Sequence, residues 1–329
     1  MADDEILVAQ KDKKTISLTK FLVIIIVILL TAIGIFAYLR YRALGDTPFG
    51  NLGYRFTQKP RFLFNIYGAP KHMLKSPMAV FVDENRMIYV ANTEGHSVEV
   101  YKPDGQYAYS FGGFGTGLGQ MSYPYGITQD GSGNILVSES GNGRIQVFSK
   151  EGRFLRVLLN KTSLTGLKKP GPLFRDPKGN IYISDLNSQK VIVINDAGKE
   201  LGILTGFQYP HGIAVDKNNR VYVSDSGNNQ VIVFDDKGKK INYISKWQTD
   251  RPFSMVRGVA VSPDGEIFIA DTVASQIRVF NSKYKYMFSL GSQGMENGNF
   301  VFPAGIFIDS RGKIYIADWG NNRIQVWGY

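Results

Sequence analysis

The residues best able to do chemistry fall into two sets. His72, His96 and His211 are the only imidazoles among 329 residues, and cysteine is absent, so thiolate metal sites, disulfides and a cysteine nucleophile are excluded. A catalytic zinc centre takes three protein ligands and one open position, and these histidines are the candidate nitrogen ligands. The second set is a series of carboxylates, Glu139, Asp185, Asp225, Asp271 and Asp318, spaced 46, 40, 46 and 47 residues apart. Converging on one axis, they could hold a divalent cation for hydrolysis. Each stands beside a Gly/Asn turn, however, where an acidic side chain accepts backbone N–H bonds, so turn-capping is their expected role. Arg144, Arg323 and Arg278 lie near the same turns and are assigned first to carboxylate pairs that hold the structure together.

The spacing reflects a repeat, seen most clearly in YPHGIAVDKNNRVYVSDSGNNQVIVF from Tyr209 and FPAGIFIDSRGKIYIADWGNNRIQVW from Phe302. With Asn92 as the first origin and the five acids as the others, proline stands fifteen positions earlier in five of six copies, at Pro77, Pro124, Pro170, Pro210 and Pro303, with Val256 in the sixth. Each copy reads as three short alternating strands, and Tyr107–Phe111 and Tyr286–Leu290 exemplify a fourth. Such meanders cannot bury both apolar faces alone, so radial stacking is expected. The last copy stops after its third strand, and the stretch RFLFNIYG from Arg61 resembles the fourth strands elsewhere. Phe62 to Tyr67 is therefore expected to complete the last blade and close a six-bladed ring.

The pattern Pro-x-Gly-Ile-x-Val-Asp, followed by Val-Tyr-Val-x-Asp-x-x-Asn-Asn-x-Ile-x-Val-Phe, resembles the NHL repeat over about residues 61–329, with Asn92 and Pro172 departing from the expected Asp and Gly. The resemblance implies an all-β, six-bladed β-propeller whose ligand face is formed by the interblade loops and the loops between second and third strands. Peptidyl-hydroxyglycine amidating lyases share this propeller and hold zinc through three histidines. At the position of His211, however, the other copies carry Met78, Tyr125, Gly171, Arg257 and Ala304. A propeller enzyme, either a metal-dependent lyase or a lactonase-like hydrolase with an axial site, is thus the alternative to a binding module, and no cofactor or metal is expected.

Binding candidates on the loops are His211, Arg257, Tyr125, Phe253, Trp247, Trp319 and Phe114, with Lys161, Lys168, Lys169 and Arg175 from a basic run. Beyond residue 42 the net charge is +8, which favours an anionic partner: another protein or a cell-surface polymer. Residues 21–39 read FLVIIIVILLTAIGIFAYL, uncharged and long enough at about 1.5 Å per residue to match the roughly 30 Å hydrocarbon core of a bilayer. Lys11, Lys13, Lys14 and Lys20 precede the run and Arg40 and Arg42 follow it, so the expected layout is a cytoplasmic tail (1–20), a signal-anchor helix (21–39), a linker (40–60) and an extracytoplasmic propeller (61–329). That placement argues against a nucleic-acid partner, and no small-molecule substrate is singled out.

Overall fold

The computed structural model describes residues 22–23, 25–32, 34–35, 59–163, 165–245 and 251–329. Contacts divide the chain into two units, Met1–Gln58 and Lys59–Tyr329. In the first unit the described residues are helical, and the Thr31 hydroxyl donates back to the carbonyls of Val27 (2.8 Å) and Ile28 (2.9 Å), so its polarity is satisfied within the helix. Among the described residues no helix is long and apolar enough to cross a membrane, and the 21–39 span lies partly outside them.

The described residues of the second unit form six four-stranded antiparallel sheets and one two-stranded ribbon, Gly68–Ala69 with His72–Met73. Blade 1 comprises Pro77–Val82, Ile88–Asn92, Ser97–Tyr101 and Tyr107–Gly112; blade 2 Pro124–Gln129, Ile135–Glu139, Arg144–Phe148 and Phe154–Leu159; blade 3 Pro170–Arg175, Ile181–Asp185, Lys190–Ile194 and Glu200–Leu204. Blade 4 runs over Pro210–Val215, Val221–Asp225, Gln230–Phe234 and Lys240–Ile244, and blade 5 over Val256–Val261, Ile267–Asp271, Gln276–Phe280 and Tyr286–Leu290. Blade 6 takes Pro303–Ile308, Ile314–Asp318 and Arg323–Gly328 from the end of the chain and Arg61–Ile66 from before blade 1. Phe62 pairs with Trp327 and Ile66 with Ile324, so the ring closes through the early strand that the sequence singles out.

Burial follows position in the blade. Every residue of all six second strands is buried, because each is flanked by strands on both sides and by a neighbouring blade on each face. Fourth strands lie at the rim and are largely half-exposed. The six apolar clusters each straddle one joint between blades; one joins Tyr89, Val98 and Val100 of blade 1 to Ile127, Ile135 and Phe148 of blade 2. The joint between blades 6 and 1 is filled by Ile66, Val80, Val90, Ile324 and Val326.

Near the axis the first strands crowd together. A Cβ on Gly126, Gly212, Gly258 or Gly305 would overlap the carbonyl of Gly171, Arg257, Ala304 or Met78, each in the next blade. The Gly of Pro-x-Gly is therefore a close-approach residue. Nine positions before the origin an acid in five blades, and Ser262 in blade 5, caps the turn at the other end; Asp83 Oδ1, for example, accepts the Met87 N–H at 2.8 Å and Ser262 Oγ the Glu266 N–H at 3.0 Å.

Candidate functional site at the channel mouth

The first strands line an axial cavity of about 430 Å³. The residue after the blade-opening proline or valine (Met78, Tyr125, Gly171, His211, Arg257 or Ala304, in blade order) lies at the mouth facing the interblade loops. Polar side chains occupy three of these six places. Gly171 has no side chain between Tyr125 and His211, and the Tyr125 hydroxyl reaches His211 Nδ1 at 3.2 Å. Arg257 follows in the next blade, its guanidinium 5.2 Å from the Trp319 ring. Backbone bonds from the preceding blade fix these residues: the Ser138 hydroxyl donates to Gly171 O at 2.6 Å, that of Ser184 to His211 O at 2.8 Å, and that of Ser224 to Arg257 O.

The electrostatics are one-sided. Burial, then Arg257 and Lys169, push the His211 imidazole down to about 3, and burial, partly offset by Arg257, pushes the Tyr125 phenol up to about 12. Both are neutral at physiological pH. Arg257 Nε is buried without a hydrogen-bond partner, and among the described residues no carboxylate pairs with this guanidinium. A general base works best with a pKa near the operating pH, and His211 lies far below it. A cation with a spare donor beside two neutral hydrogen-bonding groups suits the binding of an anionic group better than proton abstraction.

His211 also gives the fold a pH signature. Between about pH 6.5 and 3 an unfolded imidazole is protonated and His211 in the fold is not, so the unfolded chain holds the extra proton and stability falls on acidification through that window. The slope is at most about 1.4 kcal/mol per pH unit. Tyr125, whose phenol burial pushes up to about 12, faces the ring, with Arg257 and Lys169 close by. His211→Gln should flatten the melting temperature against pH between 6 and 4; an unchanged slope would show that another group sets it.

The other sequence candidates scatter. Phe114 is 71% exposed and packs with Tyr123 against His96, and Trp319 contacts Phe302, so both belong to the loop face. Phe253 does not: it is 4% exposed, tilted against Phe280 and under the Arg278 guanidinium. It stands eighteen positions before its origin, where the other blades place Leu74, Met121, Leu167, Phe207 and Phe300, all buried; that register marks it as a core plug. Trp247 lies outside the described residues. Lys161, Lys168 and Lys169 are exposed near the loop face. Arg175 closes the first strand of blade 3, about 17 Å further along at roughly 3.3 Å per residue, and pairs with Asp196 at 3.2 Å. The basic run therefore divides between two ends of the ring. Sequence reading passed over exposed Tyr209, Met295 and Phe302 on the loop face; Tyr209 and Phe302, like Tyr123, directly precede proline with a left-handed backbone, so their position in the repeat was the available signal.

The recurring acids clamp loops. Ser122 N donates to Glu139, Lys168 N and Lys169 N to Asp185, Gln208 N to Asp225, Ser254 N to Asp271 and Val301 N to Asp318, at 2.6–3.1 Å. Arg144, Arg278 and Arg323 pair with these acids at 2.7–2.8 Å and donate to carbonyls of the preceding interblade loop. His72, His96 and His211 lie in separate surroundings, against Tyr107, Phe114 and Tyr125. Among the described residues no three His, Asp or Glu side chains are grouped to hold a metal ion.

Fold and mouth together define a six-bladed β-propeller with a cationic axial opening. The NHL repeat matches residues 121–148 and 207–234, within blades 2 and 4, and a family described as a 6-bladed beta-propeller matches residues 249–328. Protein brain tumor of Drosophila melanogaster is 31% identical over 42% of this chain and 13% of its own length, and NHL repeat-containing protein 3 of Homo sapiens is 27% identical over 36% and 35%. The chain thus spans well under two thirds of these relatives. Among solved structures, the gluconolactonase of Xanthomonas campestris superposes with a TM-score of 0.63 over 82% of this chain and 95% of its own, and virginiamycin B lyase of Staphylococcus aureus with 0.57 over 82% and 99%, both at 14% identity. Identities this low establish the shared fold alone.

Proposed function

We propose that this chain is a membrane-anchored binding module that presents the interblade-loop face of its propeller, outside the cytoplasm, to an anionic group on a partner protein or surface polymer. The observation that carries the reading is Arg257: a guanidinium with a buried, unbonded Nε and no carboxylate partner among the described residues, set between neutral His211 and Trp319. Exposed Phe114, Tyr123, Tyr209 and Phe302 on the same face would supply apolar contact around it. The uncharged run at 21–39 supports the anchor. An axial enzyme has the shared fold in its favour but would lack a base of useful pKa at this mouth.

The test is binding of the full-length chain to immobilised poly-glutamate, with poly-glutamine as the neutral control. Arg257→Gln is expected to weaken binding at least about tenfold, since hydrogen bonds to charged groups contribute about 1.5–3 kcal/mol; equal binding by the variant would remove the reading. In intact cells making the full-length chain, external protease should digest residues 59–329, and protection until permeabilisation would place the propeller inside.

A further inference from the structure

Blade 1 lacks the arginine clamp of its neighbours. In blades 2 and 6 the residue opposite the origin acid is an arginine, Arg144 across from Glu139 and Arg323 across from Asp318, with Nε 2.7 Å from the carboxylate in each. Their terminal nitrogens donate to carbonyls of the loop before the blade, among them Gln120 O and Asn299 O, both at 2.8 Å. Blade 5 reaches the same result from two residues further on, Arg278 pairing with Asp271 at 2.8 Å and donating to Pro252 O at 3.0 Å.

In blade 1 the origin is Asn92, the residue across from it is Ser97, and the negative charge has moved to Glu99. Glu99 is 3% exposed; its Oε1 accepts from the Ser97 hydroxyl at 2.7 Å, while Oε2 is buried and accepts no hydrogen bond among the described residues. His72 Nδ1 is 3.7 Å from Oε2, outside hydrogen-bond reach, and its ring is held by stacking on Tyr107. A cleft of about 520 Å³ opens here, lined by His72, Met73, Asn92, Ser97, Glu99 and Ser110. Met73 occupies the register of Gln120, Pro252 and Asn299, nineteen positions before the origin, whose carbonyls receive arginine in blades 2, 5 and 6; its own carbonyl accepts only a long bond from Asn92 Nδ2 at 3.3 Å.

We propose that this cleft is a socket for a guanidinium group from outside the chain, which takes the place left by the missing arginine. A buried carboxylate oxygen without a donor is costly, and the planar fork of a guanidinium can satisfy it together with a loop carbonyl, which a compact ammonium matches less well. Lys71 and Lys75 are exposed at the rim, where solvent screens them. The socket stands on blade 1 residues and does not depend on the channel mouth.

Calorimetric titration of the full-length chain with agmatine tests the assignment. Agmatine should bind the wild type, Glu99→Gln should weaken it at least tenfold, and Ser97→Arg, which restores the arginine of blades 2 and 6, should abolish it while raising the melting temperature. Because Ser97→Arg is expected to be more stable than the parent, misfolding of Glu99→Gln would leave the test intact. Equal affinity for putrescine, or agmatine binding that survives Ser97→Arg, would overturn the proposal. The pentapeptide Gly-Gly-Arg-Gly-Gly distinguishes the two sources of such a group: tighter binding than agmatine assigns the socket to an arginine of a protein partner, weaker binding to a free guanidine compound, and no binding by either overturns it.

Discussion

Ile66→Asp will leave the ring open and the protein largely unfolded or aggregated at 25 °C, and Ile66→Ala will lower its stability by about 2–5 kcal/mol. Ile66 is 2% exposed and packs with Leu74, Val80, Ile324 and Val326 at the joint between blades 6 and 1. It also lies on the strand that pairs with Arg323–Gly328 and so removes a free edge. A buried carboxylate without a partner costs several kcal/mol, comparable with the whole stability of a domain at roughly 5–15 kcal/mol. Thermal unfolding followed by circular dichroism, with size-exclusion chromatography for aggregation, reads the outcome. A melting temperature for Ile66→Asp within a degree of the parent would show that the ring holds without its closing strand.

The second large effect is expected at Arg323. Its guanidinium is 1% exposed and donates to Asp318 at 2.7 Å, to the Tyr67 hydroxyl at 3.0 Å and to the carbonyls of Met295, Glu296 and Asn299 at 2.8–2.9 Å. Arg323→Ala leaves Asp318 buried and undercompensated and frees the Met295 and Glu296 carbonyls, while Asn299 O keeps Gln325, a loss of about 3–5 kcal/mol. Arg153, which meets Glu151 at 3.8 Å with both side chains well exposed, is the control: Arg153→Ala should leave urea unfolding unchanged within error. Similar midpoints for the two variants would mean that the clamp is no stronger than a surface pair.

The fold was largely legible because most blades repeat the same local demands: proline to open a strand, glycine where the next blade's carbonyl approaches, an acid at the turn. Spacing of those residues gives the blade number, and the likeness of Phe64-Asn65-Ile66 to the rim strands gives the closure. The mouth was legible only in part. Tyr125, His211 and Arg257 share one register, yet the contact between Tyr125 and His211 spans 86 residues and joins blades 2 and 4 across the opening, which no local pattern reveals. Phe253 looked like a loop aromatic because its own neighbourhood is polar; alignment with the apolar plugs of the other five blades places it correctly. Lys169 and Arg175 are near in sequence and far apart in space because a strand carries the chain from one end of the ring to the other between them.

Ser138, Ser184 and Ser224 tie down the backbones of Gly171, His211 and Arg257, whereas blades 1, 5 and 6 carry Ala91, Ala270 and Ala317 at the same register. Three of the six mouth positions are thus riveted directly, and Thr93 and Thr272 hold the Pro124 and Pro303 carbonyls beside two of the others at 2.7 and 2.8 Å. A guest arriving at the riveted half would find its host already set, and the loss of freedom on docking would fall mainly on the guest, so that fit there rewards a rigid visitor over a pliable one.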